Sequence, residues 1–225
     1  MTGIITALRE DYRLLKSRCH IDDSILIAGK RFFSGVLDEQ PVAFVRPEMP
    51  PADIAAVTQA MIDHFAISSL VFTGAALPLV PFLEAGDLII ANHYLAPNET
   101  DISGRPVMYE ASDTVLDFLR TLTLSDEGKK MQIVFGAIMG STAEADDLVR
   151  LAGIRESGGM AADRAGHAFA YVCHINKINF AAFSVIAGDG DSLETIPAAA
   201  IETLHFLRRR VIAETAFVSN PASFI

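Results

Sequence analysis

Asn179–Ser192 reads NFAAFSVIAGDGDS: an apolar, β-rich run from Phe180 to Ile186 that meets Gly188, Asp189, Gly190 and Asp191. A strand buried on both faces, as in a parallel sheet, has this continuous apolar character, and the glycines and aspartates mark its exit into a loop. Ligands of open α/β sheets bind beyond the carboxyl ends of the strands. Asp189 therefore stands where a working carboxylate is expected, with Asp191 beside it; the same residues are also ordinary turn formers. On the upstream side, Met160–Ile175 is rich in alanine and reads as a helix. Downstream, Glu194–Glu214 reads as the last long helix, with Ile201, Leu204, Leu207 and Val211 spaced as a core face and Arg208–Arg210 as a solvated face. A buried strand between two helices sets the class as α/β.

The remainder of the chain repeats that alternation. Gly3–Ala7 reads as a short buried strand and Leu8–Lys16 as the helix after it, which places Asp11 near a strand-to-helix junction. Ser24–Ala28, Arg31–Leu37 and Val42–Arg46 are β-rich runs, the last two joined as a hairpin. The PEMPP segment at 47–51 breaks the pattern, and Pro51 is placed to open a helix running to about Phe65. Ser69–Phe72 is a strand ending in Thr73–Gly74, and Asp87–Tyr94 is another, followed by a polar loop from Ala96 to Pro106. Helices are predicted over Ser112–Leu122 and Thr142–Leu151, with a strand at Met131–Phe135 between them. No repeat or linker interrupts the sequence, so residues 1–225 are expected to form one domain around a mixed sheet.

Composition narrows the function. The 225 residues are 51% hydrophobic and 20% charged, with a formal net charge of −10. That balance supports a well-filled core, and the acidic field opposes binding to nucleic acid or to an anionic membrane. Two cysteines, Cys19 and Cys173, provide neither a disulfide framework nor metal-ligand spacing. The N-terminus carries Arg9, Glu10 and Asp11 without a long apolar stretch, and no run reaches the ~18 apolar residues of a membrane span. A soluble cytoplasmic protein with free thiols is expected. His167 and His174 share one helical face but have no third ligand at short spacing, so no metal site is expected. His93, at the end of the DLIIAN strand, reads as an ordinary surface or core histidine.

Several pieces in shared order and spacing carry a resemblance: IITALREDYRLL at 4–15, Ser34–Gly35, FTGAA at 72–76, EAGDLII at 84–90, Val134–Gly136, ADRAGHAFAYVC at 162–173, and Phe180–Asp191. With these the chain resembles the nucleoside phosphorylase and nucleosidase superfamily, in particular its 5′-methylthioadenosine/S-adenosylhomocysteine nucleosidase branch. The resemblance covers about Gly3 to Leu207. It implies a three-layer α/β/α domain with a twisted mixed sheet, a homodimer, a small nucleoside-like ligand, no cofactor, and hydrolysis of the bond between a purine and its ribose.

In that family an acid protonates the departing base, a carboxylate orients the attacking water, and a glutamate holds the ribose hydroxyls. These groups suit the chemistry, because adenine leaves poorly until protonated and water attacks poorly without a base. The resemblance assigns the water-orienting carboxylate to Asp11, one methylene shorter than the family's glutamate. It assigns the acid to Asp189, one residue beyond the family position, which Gly188 occupies. The ribose-binding Met-Glu is replaced by Arg164–Ala165, leaving Asp163 and Arg164 as the candidate sugar contacts. Thr73 and Gly74 are expected to line the pocket and Met139 to cover the base. The family's Gly-rich phosphate turn is Pro47–Glu48–Met49–Pro50 here. Two prolines remove amide donors and Glu48 adds negative charge, which opposes phosphate binding. Two functions follow: an N-ribosyl hydrolase, or an altered member that binds a nucleoside-like or anionic small molecule through Arg164.

Overall fold

The computed structural model describes residues 1–48, 50–100, 102–103, 106–123, 131–140, 158–188 and 196–219. In chain order the elements are β1 (Thr2–Thr6), α1 (Arg9–Arg18), β2 (His20–Ile27), β3 (Lys30–Leu37), β4 (Gln40–Val45), α2 (Pro51–His64), β5 (Ser69–Pro78), β6 (Leu88–Thr100), β7 (Pro106–Glu110), α3 (Asp113–Thr123), β8 (Ile133–Gly140), β9 (Ala161–Asp163), α4 (Gly166–Asn176), β10 (Asn179–Ile186) and α5 (Ala198–Ser219). The mixed sheet expected from the alternation is present. Its order is β10-β6-β8-β9-β5-β1-β4-β3-β2, with β7 on β6 and a further pairing of β10 with β5.

That further pairing closes one end of the sheet. β5 pairs with β10 and β9, β10 with β6, β6 with β8, and β8 with β9, so five strands return on themselves. From this ring β1, β4, β3 and β2 extend as an open wing. β1 lies parallel between β4 and β5, and alternation sends its neighbouring residues to opposite faces. Ile4 joins a core cluster with Leu15, Phe44 and Ile212, whereas Ile5 joins the main core with Ile54, Val57 and Met61. The α1/α5 layer thus covers one face and the α2/α4 layer the other.

Several segments differ from their sequence reading. β5 runs on through Thr73 and Gly74 to Pro78, and β8 runs past Phe135 to Gly140, because each has a pairing partner beyond the expected end. The helix expected from Met160 begins only at Gly166, because Ala161–Asp163 fills the gap between β5 and β8 as a short strand. The polar stretch after Ala96 is not a free loop: β6 continues to Thr100 and turns back antiparallel as β7. Pro51 does open α2, where a missing N–H costs nothing. The predicted Thr142–Leu151 helix lies outside the described residues. Among the described residues, no helix is long and apolar enough to cross a membrane.

Candidate active site

α1 follows β1 after two residues, which carries Asp11 in its first turn over the carboxyl end of β1. There the Asp11 carboxylate is fully buried and held from two sides. Thr73 Oγ1, from the middle of β5 and in register with Thr6 at the end of β1, donates to Oδ2 at 2.7 Å. Arg208, from α5, donates through Nη1 to Oδ1 at 2.7 Å and to Oδ2 at 2.6 Å, with both side chains 0% exposed. Two residues named from the sequence, Asp11 and Thr73, therefore meet directly.

Arg208 was expected on a solvated face, and the structure corrects this. Buried positions on α5 recur at Ile201, Leu204, His205, Arg208, Val211 and Ile212, so Arg208 sits on the inward stripe while Arg210 is exposed. Its position four residues after Leu204 and three before Val211 is the one signal in the sequence that marks it. The charge tolerates burial because the Asp11 carboxylate neutralises it. His205 completes the cluster: Arg208 Nη2 donates to its Nδ1. Burial, reinforced by the Arg208 charge, pushes His205 down to about 4, so the ring is neutral near pH 7 and carries its proton on Nε2.

A second polar cluster lies on the opposite face. Asp163 ends β9 and is 4% exposed; its Oδ1 accepts from the backbone N–H of Ala165 at 3.3 Å and Gly166 at 3.0 Å, which caps α4. Burial pushes its carboxyl up to about 7, against the opposing pull of the amides and of Tyr94. Burial, with the Asp163 charge, also raises the Tyr94 hydroxyl well above its ordinary value. Asp163 Oδ2, Tyr94 Oη and Ser184 Oγ form no hydrogen bond of good geometry among the described residues. Tyr94 Oη and Asp163 Oδ2 crowd the Gly166 Cα so closely that a Cβ there would collide with both.

The other named residues spread around these clusters. Gly74 follows Thr73 but faces the Phe72 ring and pairs with Ser184, on the α4 side of the sheet. Met139 is 5% exposed within a small cluster of Leu79, Leu95, Ala137 and Ala162, and its strand neighbour Gly140 pairs with Asp163. Arg164 is half-buried at the start of the turn into α4. Asp189 and Asp191 lie outside the described residues.

Pro47, Glu48 and Pro50 offer no free backbone donor for an anion. Pro47 and Pro50 lack an N–H, and the Glu48 amide is taken by Asp53 Oδ2 at 2.6 Å. Lys30 is engaged with Glu48 at 3.0 Å and Asp53 at 3.3 Å.

Comparison with known proteins gives the family and the fold. The family profile described as the phosphorylase superfamily matches residues 2–216. The 5′-methylthioadenosine/S-adenosylhomocysteine nucleosidase of Geobacillus kaustophilus is 25% identical over 163 residues, 68% of this chain and 68% of that protein. Among solved structures, a futalosine hydrolase mutant of Helicobacter pylori superposes with a TM-score of 0.79 at 19% identity, covering 95% of this chain and 98% of that one. A 5′-methylthioadenosine/S-adenosylhomocysteine nucleosidase of Colwellia psychrerythraea in complex with adenine superposes with a TM-score of 0.78 at 20% identity, covering 95% of each chain. At such identities the structural matches establish the fold.

Proposed function

Because the chain belongs to the phosphorylase superfamily, we propose that it hydrolyses the N-glycosidic bond of a purine nucleoside or related ligand, with water as the nucleophile. The observation that carries this reading is the Asp11 carboxylate, fixed by Thr73 and Arg208 over the carboxyl end of β1. The occupied, donor-poor turn at Pro47–Pro50 supports water over phosphate. The relatives named as nucleosidases support the reaction class.

In this reading Asp11 receives the proton of the attacking water and Asp189 protonates the departing base. The electron pair of the carbon–nitrogen bond leaves with the base, and positive charge develops on the sugar. Thr73 lines the site beside Asp11, Met139 covers the base, and Arg164, half-buried just after β9, meets the sugar side; Gly74 and Asp163 lie on the other face of the sheet and shape the site from behind. No cofactor takes part. The working form is a cytoplasmic homodimer that takes a small nucleoside-like ligand. A second reading rests on Arg164, which follows Asp163 directly where the family places its ribose-binding pair. A guanidinium there suits a phosphorylated or carboxylated ligand.

The test is base release from 5′-methylthioadenosine, S-adenosylhomocysteine, adenosine and AMP, with and without phosphate. Release that is independent of phosphate, and that falls at least about 100-fold in Asp11→Asn and Asp189→Asn, is expected. AMP turned over ahead of adenosine favours an anionic substrate. No release from folded protein on any of the four overturns the hydrolytic reading, and thermal-shift binding of the anionic compounds then supports the second.

A further inference from the structure

Arg208 reaches Asp11 across 197 positions of sequence and meets it end-on, with one nitrogen shared between both carboxylate oxygens. A carboxylate oxygen offers about two acceptor positions. Oδ2 fills both, one with Thr73 Oγ1 and one with Arg208 Nη1, whereas among the described residues Oδ1 accepts from Arg208 alone. The two oxygens are therefore unequal, and one acceptor position on Oδ1 remains. His205 fixes the other side of the guanidinium by accepting from Nη2, which prevents the arginine plane from turning away. Arg208 Nε and His205 Nε2 have no partner among the described residues, so the cluster has donors left at its edge.

We propose that Arg208, braced by His205, is the positioning residue of this site: it holds the Asp11 carboxylate so oriented that Oδ1 alone takes the proton of the attacking water. This rests on the hydrolytic reading above. In the step concerned, a bond forms between the water oxygen and the anomeric carbon, and the bond from that carbon to the base nitrogen breaks with its electrons leaving on the base. The water proton passes to Asp11 Oδ1, and the proton taken up by the base comes from the general acid. Arg208 never touches substrate. It acts by removing Oδ2 from competition. The groups that touch the pair are Thr73 from β5 and His205 from α5.

The test compares the full-length wild type with Arg208→Gln, which keeps hydrogen-bond donors without the charge, and Arg208→Lys, which keeps the charge without the fork. Turnover is measured on whichever of the four nucleosides wild type cleaves. Expected for Arg208→Gln is a fall in kcat of about 100-fold with KM within about threefold. Arg208→Lys recovers part of the loss. Unchanged kcat per folded molecule, or a KM that rises in step with the loss of kcat, overturns the proposal. Absence of turnover in wild type instead overturns the hydrolytic reading and the role assigned within it. Should Arg208→Gln fail to fold, Arg208→Lys decides: a single ammonium cannot straddle both oxygens, so kcat falls about tenfold at steady KM, and equal kcat overturns the proposal.

Discussion

Asp163 shows how much of this site is set by single buried groups. Its carboxyl, ordinarily near 3.8, is held up to about 7 by burial. The unfolded chain has released that proton above about pH 4, while the native state keeps it to about pH 7. Native stability contributed by this group is therefore complete below pH 4 and lost as pH rises to about 7, by an amount on the order of 4 kcal/mol. Urea unfolding of wild type should show stability falling between pH 5 and 8 more steeply than in Asp163→Asn, which keeps the cap to Ala165 and Gly166 and cannot ionise. Equal slopes would show that burial does not hold the proton. Removal of one partner of the Asp11–Arg208 pair leaves an uncompensated buried charge and should cost about 3–5 kcal/mol. Asp11→Asn/Arg208→Gln together should cost less than the sum, as a denaturation cycle measures. Asp11 was legible in the sequence because a strand–helix junction marks it. Arg208 was not, because an arginine in a basic triplet reads as solvated until its partner is known.

The elements differ in how plainly they announce themselves. α5 was legible because Ile201, Leu204, Leu207 and Val211 keep helical spacing over several turns, and all four are buried. Leu204→Ala should cost about 2–5 kcal/mol by thermal or urea unfolding, whereas Phe206→Ala, at a side chain 47% exposed, should change stability by less than about 0.5 kcal/mol. A comparable loss at both positions would contradict the assigned face. β9 was not legible. Three residues show no period, and alanine favours helix locally, but the hydrogen bonds offered by β5 and β8 prevail. The extension of β6 past Ala96 was hidden for a similar reason: a polar, proline-containing stretch reads as a loop, and its strand character depends on β7, which pairs with Thr100.

Across the whole molecule, the ring formed by β5, β10, β6, β8 and β9 carries most of the buried core, while β2 pairs only with β3 at the far edge and is largely exposed. Hydrogen exchange should therefore release β2 amides well before those of β5 and β10; uniform protection would mean that the wing and the ring open as one unit. The sequence by itself determined the α/β class, the mixed sheet, the family and the placing of Asp11 at a strand-to-helix junction, because these follow from local periodicity and from motifs a few residues long. Only the tertiary structure decided that the sheet closes, that Asp163 caps α4 from a strand, and that Arg208 leaves solvent to meet Asp11. Each depends on partners far apart in the chain, and the energy of a buried charge or an unpaired strand edge is set by what folding brings beside it.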